Sequence, residues 1–420
     1  MSFQQGLSGL NTSSKNLDVI GNNIANANTY GAKSSRAEFS DMYAAALGGT
    51  GVSQIGIGVR LANVAQQFTQ GNITTTDSSM DLAINGGGFF QMTDGKNPVT
   101  YSRNGQFKVD SSGFIVNNQG YKLLGYMADN TGTIQPGQAV PLQLPTGGIE
   151  PKATAAIDME FNLDSSKPVT DPGSSASPRI SFTDAKTYND ATSVTVYDDK
   201  GQKVALTYYF QKAANDQWNV YVTANGHSIG GTDAAPEPVS TLDFDANGSN
   251  PTPDTISLDV PSLTNADGTT TLAIPGIQID LGKSTQYSAS FSVTNLAQDG
   301  YAAGSLSSIA FDSSGVITAR YSNGQSKSAG QLELATFRNN QGLQPVGGNG
   351  WLRTYASGDP VVGTPAQGNM GAIQSGALEE SNVDLTGELV NMITAQRNYQ
   401  ANAQTIKTMD QVLQTLVNLR

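Results

Sequence analysis

The sequence predicts a mainly β chain with α-helical termini. The N- and C-terminal helices pair as a coiled-coil-like layer, beside a discontinuous inner β domain that carries an inserted outer β domain. Three observations predict this. Apolar residues recur in steps of four and three at both ends, the spacing of a helical seam. Between the ends, Asn-Gly stands at 85–86, 104–105, 225–226, 247–248, 323–324 and 349–350, and Asp-Gly at 94–95, 267–268 and 299–300. These dipeptides suit the φ > 0 turns that join hairpin strands. The chain has 420 residues, which allows two or three domains of ordinary size.

The N-terminal stripe is Phe3, Leu7, Leu10, Ser14, Leu17, Gly21 and Ile24. It predicts a helix over 1–28 that ends inside the Asn-rich run Asn22–Gly31, because Asn and Gly favour helix C-termini. Residues 32–70 are mixed and Gly-rich without a firm period. They read as an extended connector with a short helix around Arg36–Leu47.

From Gly71 the pattern becomes strand and turn. Val204, Leu206, Tyr208 and Phe210 alternate, and Trp218, Val220 and Val222 follow after a polar gap, as in a hairpin with a half-buried face. Phe107–Ile115 and Ala310–Ile317 share one strand–turn–strand pattern, which hints at a common architectural unit. Pro145–Pro151 reads as a linker, and Ser165–Ser177 as a polar gap. The expected domains are a terminal helical assembly domain (1–31 with 376–420), the connector (32–70), the inner β domain (71–149 with 291–375) and the inserted outer β domain (150–290). The C-terminal stripe is Leu385, Leu389, Met392, Gln396, Tyr399, Ala403, Ile406, Asp410, Leu413 and Val417. Gln396 and Asp410 are expected on the seam, where polar residues set register.

Composition excludes much chemistry. There is no cysteine, so thiolate catalysis and Cys zinc sites are out, and the single histidine, His227, cannot build a His cluster. The net charge of −12 opposes broad nucleic-acid binding, which needs a basic surface. No apolar run approaches the roughly 20 residues that span a bilayer, and no ordinary signal peptide is visible, so secretion would need another route. Asp243, Asp245, Asn247 and Asp254 imitate a calcium loop, but Pro251 and Pro253 oppose the helix that should follow, so a self-capped turn is expected. Gly86–Gly88 lacks phosphate-loop spacing and reads as a tight turn beside packed Phe89 and Phe90. The pair Asp198–Asp199 reads as a solvated turn. No catalytic, cofactor-binding or metal residues are expected, and no enzyme. Two apolar helical stripes instead point to assembly.

The same ends carry a family pattern. Asn22, Asn23, Ile24, Ala25 and Asn26, followed by Thr29, Tyr30 and Gly31, resemble the N-terminal signature of the bacterial flagellar rod and hook axial proteins. Ser381, Asn382, Val383, Asp384 and Leu385, with Gln396, Arg397, Asn398 and Tyr399, resemble the matching C-terminal signature. Asp81–Gly86 with Phe89 and Phe90, and Tyr101–Phe107, look like the shared β domain. The large central segment and Leu332–Leu343 resemble the hook branch. The resemblance implies a structural subunit, exported unfolded, that polymerises into a curved tube transmitting motor torque in the extracellular flagellum. Implied partners are copies of itself, the rod, the hook cap, the hook–filament junction proteins and the export apparatus; no nucleic acid or membrane insertion is implied. Phe3, Leu7, Leu10, Leu17, Ile24, Leu385, Leu389, Met392, Tyr399, Ile406 and Leu413 are the expected assembly residues. A distal rod-type protein is the neighbouring alternative, and a secreted β-rich carbohydrate-binding protein the distant one.

Overall fold

The computed structural model describes residues 2–42, 56, 58–129, 131–145, 147–173, 178–264 and 268–418. Tyr43–Leu47 of the expected short helix, Asp267 of one turn, and the side chain of Val417 lie outside the described residues. Two compact units emerge. One comprises 1–146, 307–320 and 326–420; the other comprises 147–306 and 321–325.

In the first unit, helix α1 spans Ser2–Ala25 and helix α2 spans Leu385–Asn418. α1 stops where Asn side chains compete with the helical ladder: Asn26 donates from both its backbone N and its Nδ2 to Asn22 O, at 3.1 and 2.9 Å. α2 begins at an Asp cap, where Asp384 Oδ1 accepts from Thr386 N at 3.0 Å. The helices belong to the same compact unit as the β strands rather than to a separate terminal domain.

The connector is an antiparallel hairpin, not a helix-bearing coil. Strand β1 (Ser35–Met42) pairs with strand β2 (Gly58–Gln66), with a bulge at Glu38/Phe39. Arg36, Ala37 and Glu38 favour helix locally, but pairing with a Val- and Leu-bearing partner strand outweighs that preference. The hairpin leans on α1, with Ser8 Oγ accepting from Val59 N at 3.4 Å.

The main sheet runs through Val316–Tyr321, Ser326–Leu332, Lys122–Met127, Phe89–Thr93, Thr100–Ser102 and Gly350–Leu352. Leu82, Ile84, Phe90, Phe107, Leu123, Leu332 and Leu334 fill its core, and Phe89, Tyr101, Phe337 and Trp351 form an aromatic cluster. The two echoing segments are both hairpins of this unit, closed the same way: Asp110 Oδ1 accepts from Phe114 N and Asp312 Oδ1 from Val316 N, each at 2.8 Å.

The second unit is two sheets sharing one core. Ala156–Asp164 is central to one sheet, and Lys203–Ala214 with Gln217–Ala224 to the other; Ile157, Phe161, Leu206, Tyr208, Phe210 and Trp218 meet between them. Ser292–Gln298 pairs with Ala156–Asp164, so 291–306 belongs here and not to the inner β domain. The second face of Gln217–Ala224 is covered as well, with Asn219, Tyr221 and Thr223 buried, whereas Lys203 and Ala205 on the partner strand stay exposed. The polar stretch after Ser165 contributes, with Asn219 Nδ2 donating to Asp171 Oδ2 at 3.2 Å.

Candidate assembly interface

The two helices run antiparallel, and small or polar residues set their contact. A Cβ at Gly6 would lie 3.0 Å from Ile406 Cγ1, and one at Gly9 would lie 2.8 Å from Asn402 Oδ1. Asn402 Nδ2 reaches Ser13 Oγ at 3.4 Å, and Asn23 Nδ2 donates to Glu388 Oε1 at 3.0 Å. Ile20 and Ala395 are buried in the same region. On α1 the inward positions 6, 9, 13, 20 and 23 each precede a member of the apolar stripe by one residue, about 100° around the helix.

The apolar stripes are therefore only partly used within the chain. Phe3 and Leu7 remain 46% and 45% exposed, and Leu385, Leu389 and Leu413 44%, 46% and 54%. Tyr399 is exposed as well, whereas Leu10, Leu17, Ile24, Met392 and Ile406 are half-buried. Leu413 stands one heptad past Ile406, where α1 has run out. Gln396 and Asp410, expected to set register on the seam, are exposed; Asp410 accepts from Gln414 Nε2 at 2.9 Å. Among the described residues, Asn23 bonds Glu388 and Asn402 bonds Ser13 across the helix pair.

The Asn-rich motifs fasten the helices to the hairpin. Asn23 Oδ1 accepts from Ser35 N and its Nδ2 donates to Ser35 O, both at 2.8 Å. Asn382 Oδ1 accepts from Ser34 N, and its Nδ2 donates to Gln67 O, both at 2.7 Å. Ser381 Oγ accepts from Val383 N at 3.3 Å. Gly31 turns the chain at φ +70°, which favours glycine, and its N–H reaches Glu379 O at 2.8 Å. Asn22, Gln396 and Arg397 join none of these clips.

Beneath the motifs lies an ionic centre that sequence reasoning missed. Glu379 Oε1 meets Lys33 Nζ at 2.5 Å, with both side chains fully buried, and Glu379 Oε2 meets Arg103 Nη1 at 3.2 Å. Gly71 N donates to Oε1 at 3.0 Å and Lys33 Nζ to Thr69 O at 2.8 Å. Arg103 also donates to Ile84 O and Gly86 O, at 3.2 and 2.7 Å. Burial pushes the Lys33 ammonium below the usual lysine range, against the pull of Glu379. Arg103 is lowered for the same reason, with the same opposition. Glu379 stands 276 or more residues from each of its two cations, and only the family-like run Tyr101–Phe107 drew attention to one of them.

Other candidates resolve locally. Asp245 Oδ1 accepts from Asn247 N and Ser249 N at 3.0 and 2.9 Å, closing that loop on itself. His227 Nδ1 lies 2.8 Å from Asp233 Oδ2 on the surface. Among the described residues, no group of three or more His, Cys, Asp or Glu is placed to hold a metal, and no helix is long and apolar enough to cross a membrane.

Comparison with known proteins matches this layout end to end. The Flagella basal body rod protein family matches residues 3–33, and the Flagellar basal body rod FlgEFG protein C-terminal family matches 374–419. The Flagellar hook protein FlgE/F/G D1 domain matches 83–202, and the Flagellar basal body protein FlaE D2 domain matches 162–301. The flagellar hook protein FlgE of Salmonella typhimurium is 43% identical, with all of both chains covered. The chain belongs to the flagellar hook protein family. The Escherichia coli hook protein is 42% identical over all of both chains, and that of Borreliella burgdorferi 33% identical over 100% of this chain and 99% of that one. The crystal structure of Helicobacter pylori flagellar hook protein FlgE2 covers 73% of this chain and 100% of its own, at TM-score 0.51 and 15% identity, a likeness of fold. The two terminal family matches thus fall on the helix pair and its Asn clips.

Proposed function

We propose that the chain assembles by burying, between copies, the apolar stripes that its own helix pair leaves exposed. It is a structural subunit of the flagellar hook, and its family is a structural one. The observation that carries the reading is the pairing through Gly6, Gly9, Ser13 and Asn402, which frees Phe3, Leu7, Leu385 and Leu389. Full burial of a Leu is worth about 1.5–3 kcal/mol, so covering a half-exposed one adds about 1 kcal/mol at each contact. Repeated along a polymer, these small terms build a strong inner layer. Outer β units with polar surfaces then slide while the inner layer holds. This suits a curved tube that bends while transmitting torque between rod and filament. Rod, cap, junction proteins and the export apparatus are the partners that membership of this family implies, on the extracellular flagellum.

The test is the double variant Leu389→Asp with Tyr399→Asp. Both positions are exposed, so the monomer keeps its β circular dichroism while polymerisation fails. Tubes of normal stability under the electron microscope would refute the stripe as an assembly surface. Curved tubes from the unaltered chain support the hook reading, and straight ones the rod-type alternative.

A further inference from the structure

Most exposed apolar residues of the helix pair form two clusters at its opposite ends, with Tyr399 between them. The near cluster is Leu385, Leu389, Val390 and Ile393; the far cluster is Phe3 and Leu7, extended by Val412 and Leu413. The contacts Gly6–Ile406 and Asn23–Glu388 fix the levels. Leu7 lies level with the turn of α2 that holds Ile406, and Leu389 about sixteen residues back along α2, about 24 Å at 1.5 Å per residue.

We propose that the far cluster of one copy packs on the near cluster of the next, all copies pointing the same way and each displaced about 24 Å along the helix axes. This rests on the assembly reading above, which supplies the occupant: a second copy of this chain, in a family whose members build a flagellar polymer. Like-on-like contact would pair the same patch across a two-fold axis and leave the other cluster in water. A closed antiparallel pair would satisfy both clusters at once and end growth. Near-on-far contact with a stagger covers both clusters in every interior copy, leaves one of each free at the two ends, and so continues indefinitely. Aromatic and branched side chains at the two patches are of matching character: Phe3 and Leu7 against Leu389 and Ile393.

The chain has no cysteine, so engineered pairs report cleanly. Leu7→Cys and Leu389→Cys are combined in one full-length chain, assembled into tubes and oxidised. The expected result is loss of the monomer band into a ladder of covalent multimers on denaturing gels. Leu17→Cys with Leu389→Cys, one partner moved about 15 Å along α1, should give no ladder. A product that stops at dimer shows the closed pair and overturns the stagger. Intact tubes without cross-links overturn the pairing and leave the assembly reading standing. Failure of the unaltered chain to form tubes strikes the assembly reading itself. If Leu7→Cys blocks assembly, Phe3→Cys with Ile393→Cys makes the same test.

Discussion

Replacing Glu379 by alanine strands two buried cations. Lys33 keeps Thr69 O, and Arg103 keeps Ile84 O and Gly86 O, but neither retains a counter-charge. Removing one partner of a buried ion pair costs about 3–5 kcal/mol. Lys33 has an escape that limits its share. Shedding its proton at pH 7, against an ordinary value of 10.5, costs about 5 kcal/mol at about 1.4 kcal/mol per unit. Arg103 has no such escape. Domains have only about 5–15 kcal/mol of stability, so the loss is large. With a urea slope of about 2 kcal/mol per molar, the midpoint of the first unit falls by about 1.5–2.5 M.

The two tryptophans make a unit-resolved assay. Trp351 lies in the first unit and Trp218 in the second. Fluorotryptophan resonances of the monomer in urea should show the Trp351 transition moving and the Trp218 transition staying. The pH dependence has a definite sign. Folded Lys33 lies below 10.5, so between its folded value and 10.5 the unfolded chain binds more protons and stability rises with pH. Without Glu379 the folded value drops further, which widens that window; the variant regains stability toward pH 10. The triple change Lys33→Met, Arg103→Met and Glu379→Met should recover much of the loss, because a packed apolar set avoids the desolvation cost. A midpoint shift under about 0.5 M, or equal movement of both transitions, would refute the reasoning.

Asn23→Ala deprives both backbone groups of Ser35 of their partners, at about 1–3 kcal/mol; amide exchange in β1 should accelerate. Gly9→Val places a branched side chain where a single Cβ already lies 2.8 Å from Asn402 Oδ1. The helices separate, and since isolated helices are marginal in water, monomer ellipticity at 222 nm falls; an unchanged signal would show that the pair tolerates a wider spacing. Partial burial and the hydrogen bond to Glu333 raise the Tyr126 phenol to about 12. Its folded value exceeds its unfolded value, so its contribution is complete below pH 10 and lost as pH rises through about 12. Burial also raises Tyr101, Tyr208, Tyr221 and Tyr321, so phenolate absorbance should show several late-titrating tyrosines, with one fewer in Tyr126→Phe.

Much of the β architecture was legible because turn chemistry is local. Asp110 and Asp312 sit three residues before a φ > 0 glycine and accept backbone N–H groups, a device written within five residues. The alternation of Val204–Phe210 likewise told one strand face from the other. The helix misreading at Arg36–Met42 has the opposite cause: its partner strand begins at Gly58, beyond any local window. Which residues of the two helices touch was not legible for a subtler reason. A stripe of Leu and Phe marks what a helix can bury, without saying against what.

By itself, then, the sequence determined the helical ends, the turn-rich β middle, and the motifs that place the chain in its family, since each depends on neighbours within a few residues. Only the tertiary structure decided which helix faces meet. Close approach uses Gly6 and Gly9, which no hydrophobic pattern rewards, and that choice leaves Phe3, Leu7, Leu385 and Leu389 exposed. It also decided that Lys33, Arg103 and Glu379 share one buried centre. Charges alone in a sequence look solvated; they become a core when distant segments close over them and exclude water.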